Sequence, residues 1–143
     1  MGVAAFVVRD HTGTLVDGKI SFYPCSLPTM VEAKAIYDAS LFAASCVCEP
    51  VIIESDCKIV IDAISSDASF LPWDDSGMVE AIRDVANKSS SISYSFIYRE
   101  ANTIAHWVAS SAKCGSLPPD WLSRQPLVLS RLLLFDREPQ GIG

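Results

Sequence analysis

Two carboxylates, Glu32 and Asp56, and an Asn–His pair, Asn102 and His106, are the side chains of this 143-residue chain best set to do chemistry. Asp56 follows Val51-Ile52-Ile53, three branched apolar residues that read as a short strand buried on both faces. Open α/β sheets bind ligands at the carboxyl ends of their strands, so Asp56 is a candidate metal or catalytic carboxylate. It can equally cap the helix that follows, accepting backbone N–H groups. Glu32 has the same two readings. It closes Thr29-Met30-Val31-Glu32, a capping-box pattern with Thr29 as N-cap, and it heads a helix face continued by Ile36, Ala39 and Ala43. Asn102 and His106, four residues apart, share one side of a later helix, with Ile104, Trp107, Val108 and Ser111 on the other.

The elements that must position these groups can be read in order. Residues 2–8 and 14–23 are β-rich around the turn Asp10-His11-Thr12-Gly13, which predicts a hairpin. A helix is expected over 29–47, closed by Glu49-Pro50, and the Val51 strand comes next. Helices at 57–65 and 78–87 flank a loop, residues 91–98 alternate as a strand, and a helix runs from Asn102 to about 113. Strands joined through helices are parallel with right-handed crossovers. That topology returns the start of the 29–47 helix to the end of the Val51 strand, so Glu32 and Asp56 meet. The strand at 91–98, parallel to it, delivers Asn102 and His106 to the same end, and this convergence favours a functional site.

At this length, and with half of its residues hydrophobic, the chain is one domain with its own core. We place that domain at 1–114, followed by a Pro-containing tether and short helical tail at 115–143. No basic leader precedes an apolar run at the N-terminus, Phe6 breaks the myristoylation pattern, and the apolar run at 36–47 is too short to span a membrane. The expectation is a soluble, intracellular protein, nuclear or cytoplasmic and not secreted. Five scattered cysteines in no metal or redox spacing read as buried free thiols. A net charge of −6 argues against strong nonspecific binding of nucleic acid.

Four segments carry a family resemblance: Val7-Val8-Arg9-Asp10 with its Gly13 turn, Glu32-Ala33-Lys34-Ala35, Ile53-Glu54-Ser55-Asp56, and Arg99 through Ala109 (REANTIAHWVA). Each is weak alone. In this order and spacing they resemble the ribonuclease H-like superfamily, specifically plant type-1 domains related to retrotransposon reverse transcriptases, over residues 2–113. The resemblance implies an α/β fold: a mixed sheet of an antiparallel hairpin plus parallel strands, flanked by helices. It implies an endonuclease hydrolysing the RNA strand of RNA–DNA hybrids, with carboxylates holding two Mg²⁺ ions, Mn²⁺ being a possible substitute. Glu32 and Asp56 then become metal ligands, His106 a further catalytic position, and Asn102, Arg99 and Lys58 contacts to nucleic acid.

Two departures from the family pattern bear on activity. The family's first carboxylate stands on a central strand preceding the hairpin, which this chain lacks, so it reads as truncated at its N-terminus. His106 occupies the fourth carboxylate position, and imidazole suits Zn- or Mn-like ions better than Mg²⁺. His106 is then either a general base or an exposed helix residue. The alternative to a hybrid ribonuclease is therefore a catalytically impaired module that binds nucleic acid or protein. A small-molecule site has no Gly-rich phosphate loop to support it.

Overall fold

The computed structural model describes residues 1–25, 27–46, 50–66, 71–74 and 77–137. Much of the expected loop at 66–77 and the expected helix end at Val47 and Glu49 lie outside these residues. The hairpin forms as read. Strand β1 (Gly2–Arg9) pairs antiparallel with β2 (Leu15–Tyr23), Ala5 facing Ile20 and Val7 facing Gly18. The Asp10 carboxylate organises its turn, accepting the Thr12 and Thr14 N–H groups at 2.9 and 3.0 Å, while Gly13 supplies the left-handed φ of 82°. The Thr12 hydroxyl bonds to the same carboxylate and holds its pKa below the usual range.

Helix α1 (Pro28–Ser45) begins two residues earlier than its capping-box pattern suggests. Pro28 sits in the first turn, where its missing N–H costs nothing, and Leu27 is the N-cap. Thr29 is therefore inside the helix and Glu32 a full turn in, so the reciprocal cap does not form. α1 packs on β1 and β3 together. Two polar links fix it there. The buried Asp38 accepts from the Ser21 hydroxyl at 2.8 Å and from Lys34 at 2.7 Å, and Ser40 meets the Tyr94 hydroxyl at 2.8 Å. Buried polar groups stay only when paired in this way.

Strands β3 (Val51–Ser55) and β4 (Ile92–Phe96) are parallel, Ile53 beside Tyr94 and Ser55 beside Phe96. Helices α2 (Lys58–Ser65) and α3 (Met78–Lys88) join them. Val51, Ile53, Ile92, Tyr94 and Phe96 face a core closed by Ile36, Val60, Ile61 and Ile82. The expectation that the Val51 strand is buried on both faces is wrong, for Ile52 is 65% exposed and Glu54 is exposed as well. Helices cover one face of this two-stranded sheet and leave the other to solvent.

Helix α4 (Thr103–Lys113) packs on the hairpin instead, burying Ile104 and Val108 against Leu15, Ala5, Val7 and Ile20. The chain beyond Gly115 joins that second core: Trp121 lies beside Gly18, and α5 (Leu127–Arg137) inserts Leu129, which is fully buried. Tether and tail thus pack onto the same unit as the hairpin. The architecture is α/β, an antiparallel hairpin and a parallel strand pair flanked by helices, the RNase H-like arrangement. Among the described residues the strands form two separate two-stranded sheets, so β1 and β3 each keep an unpaired edge. The described cysteines Cys25, Cys46, Cys57 and Cys114 are free, but none is fully buried and Cys114 is exposed, which corrects the buried-thiol reading for these four, Cys48 lying outside the described residues.

Candidate active site

The topology brings three chain segments to one point. Asp56 leaves the end of β3, the short 3-10 turn η1 (Arg99–Ala101) and α4 follow β4, and α1 starts beside both. Ligand atoms of Glu32, Asp56 and His106 lie within 4.8 Å of one another. His106 Nε2 stands 2.8 Å from Asp56 Oδ2, and Asn102 Nδ2 donates to Asp56 Oδ1 at 3.3 Å. Asp56 is therefore not the cap of α2. That helix has Cys57 as N-cap, and it is the Ser55 hydroxyl that accepts the Cys57 N–H, at 3.1 Å.

The electrostatics of the two carboxylates are opposite. Burial raises the pKa of Glu32, and the Asp56 charge raises it further, with His106 and Arg99 pulling the other way. Among the described residues Glu32 makes no hydrogen bond or ion pair. Burial also works to raise Asp56, but the hydrogen bond and charge of His106, helped by Asn102, outweigh it and hold the carboxyl below its usual value. An unpaired, half-buried carboxylate beside an ionised one is stabilised either by taking up a proton or by a positive charge between them. Two carboxylates and an imidazole within coordinating distance of each other are a donor set that fits one divalent cation, with the nitrogen favouring Mn²⁺ over Mg²⁺. Two cations would need more carboxylates than this cluster holds.

Of the six residues singled out in the sequence, the fold gathers Glu32, Asp56, Asn102 and His106. Arg99 is exposed on η1, close enough for its charge to act on Glu32. Lys58 is turned elsewhere: its ammonium pairs with Asp62 at 2.8 Å and lies 6.0 Å from the centre of the Phe96 ring. Sequence reading missed the neighbourhood of the cluster. A cleft of about 230 Å³ opens beside Glu32 and His106, walled by Val3 and Val31 on one side and by Ser110 and Lys113 of α4 on the other. The signal for it was available, since 106, 110 and 113 fall on one helix face.

The sequence profile of the reverse transcriptase-like family, of RNase H-like type 1, matches residues 1–112. The chain belongs to this family. No curated protein and no solved structure matches it. Membership assigns a nucleic-acid-related, ribonuclease H-type function at the level of the family, whose members typically use divalent metals. No helix among the described residues is long and apolar enough to cross a membrane.

Proposed function

We propose that this reverse transcriptase-like domain binds RNA–DNA hybrids at the Glu32–Asp56–His106 cluster and hydrolyses the RNA strand slowly. The reading rests on one observation, the meeting of these three side chains within 4.8 Å from three separate segments. A divalent cation bound there would supply charge neutralisation at the phosphate and an acidified water. Glu32 and Asp56 hold the negative charge that fixes it. Asp56, held in its ionised form, stands 2.8 Å from His106 Nε2, and that contact orients the ring. His106, so oriented, serves as a base for a water proton only while its ring does not itself ligate the cation. Asn102 keeps the Asp56 carboxylate in place through its own hydrogen bond. The helix-borne Glu32 is the group whose ionisation most depends on what binds beside it.

Family-level two-cation catalysis is not matched by a two-carboxylate site, so the rate expected is far below that of family members with four carboxylates. The 2.8 Å bond between His106 and Asp56 also favours a second reading, a hybrid-binding module without turnover, because it already satisfies one oxygen of Asp56. Incubating an end-labelled RNA–DNA hybrid with Mg²⁺ or Mn²⁺ separates the two. Slow cleavage confined to the RNA strand, faster in Mn²⁺ and lost in Asp56→Asn, supports hydrolysis. Binding with an intact strand supports the second reading, and a hybrid neither bound nor cleaved refutes both.

A further inference from the structure

The cleft beside the cluster extends the site along α4. His106, Ser110 and Lys113 succeed one another on that helix at positions i, i+4 and i+7, and all three line the cleft together with Glu32. Its opposite wall is apolar, from Val3, Val31 and Pro28. At about 1.5 Å of rise per residue, Lys113 stands roughly 10 Å along the helix from His106. Ser110 and Lys113 are both exposed, and among the described residues Lys113 has no ion-pair partner. Arg99 lies beyond the opposite, N-terminal end of α4, on η1.

We propose that Lys113, with Ser110, binds the backbone of the substrate strand beyond the phosphate that meets Glu32 and Asp56, so that the strand runs from Arg99 over the cluster and into the cleft. This rests on the function proposed above. The chemistry of the walls suits such an occupant. A sugar–phosphate chain is apolar on its ribose face and anionic at each phosphate, and the cleft offers an apolar wall and a cation at matching sides. A lysine recognises phosphate as a point charge without demanding one orientation, which a backbone contact independent of sequence requires. The two carboxylates repel phosphate, so in a chain of net charge −6 a cation at the far end of the cleft is what draws the strand through. The competing explanation is that Lys113 only complements the carbonyl end of α4. Lys88 has that role at the end of α3, an 11-residue helix like α4, and lies away from the cleft.

The two lysines therefore make a matched test. Binding of a fluorescent RNA–DNA hybrid is followed by anisotropy in Mg²⁺ from 0.05 to 1 M salt, strand integrity being checked afterwards on a gel. Lys113→Ala should reduce the slope of log affinity against log salt by about 0.9, roughly a fivefold loss at 0.15 M relative to 1 M, with Lys113→Arg restoring it. Lys88→Ala should match the wild type in slope. If Lys113→Ala and Lys88→Ala give the same slope while the wild-type chain binds, the backbone track is wrong and the hybrid-binding reading stands. If the wild-type chain fails to bind hybrid at any salt, both fall.

Discussion

At the scale of the residue, Glu32 and Asp56 carry opposite signs of linkage. Folding raises the Glu32 carboxyl above its unfolded value, so the folded state holds that proton more tightly. Its contribution to stability is full below an unfolded pKa of about 4.3 and is lost as the pH rises through the folded value. Asp56 is lowered, so its contribution is present above an unfolded pKa of about 3.9 and is lost as the pH falls through the folded value. Glu32→Gln, which imitates the protonated acid, should raise the melting temperature at pH 7. Asp56→Asn should lower it there, and the deficit should vanish in acid. Thermal melts from pH 3 to 8 check both, and shifts of the same sign at pH 7 would refute the assignment. A cation at the cluster should also perturb amide resonances around Glu32, Asp56 and His106 in a Mn²⁺ or Mg²⁺ titration. Asp56→Asn should abolish those changes, and identical titrations for the two proteins would exclude a metal site at these carboxylates.

At the scale of the element, what the helices cover decides how much each matters. α1 serves both strand pairs, and its Asp38 and Ser40 pin it to the hairpin and to β4. α4 closes the hairpin core and carries His106 on its other side, so the site and the second core share one helix. α5 tests where the unit ends. Leu129 is fully buried while Leu127, two residues earlier, is 66% exposed. Leu129→Ala should cost about 2–5 kcal/mol by leaving a cavity, and Leu127→Ala less than about 0.5 kcal/mol, measured by urea unfolding. Equal, small effects would favour a domain ending near residue 114. The loss should also loosen α4, so cation affinity at His106 should fall with stability.

At the scale of the whole molecule, the two sheets meet through helices and not through each other. α1 lies across β1 and β3, each of which is paired on one edge only among the described residues, its other edge carrying unpaired backbone N–H and C=O groups. Two-stranded sheets are marginal alone, and exposed edges attract other strands. The apolar side chain of Ile52 adds to that exposure. A strand of pattern apolar-polar-apolar-Asp-Gly appended before Met1 should fill the space between the edges and bring a third carboxylate to the cluster. Melting temperature and Mn²⁺ affinity should then rise together, by calorimetry and titration. An extended chain that matches the original in both would show that the edges do not frame a strand position.

The sequence by itself determined the order of elements and the convergence of the site. Apolar periodicity located each strand and helix to within a few residues, and the handedness of parallel crossovers then required Glu32, Asp56 and Asn102–His106 to share one end. Those are local or topological properties, written in residue type and spacing. Tertiary structure decided the remainder, because it depends on which surfaces meet. Thr29 and Glu32 have the pattern of a cap, but Pro28 starts the helix earlier and frees the carboxylate. Asp56 could equally have capped α2, and only the approach of α4 gave it His106 and Asn102. Ile52 looked like core and is exposed, while the charged Asp38 is buried, because burial follows from where the helices lie. The pairing of β1 with β2 and of β3 with β4, and the edges left between them, are equally a matter of which backbones came within hydrogen-bond reach.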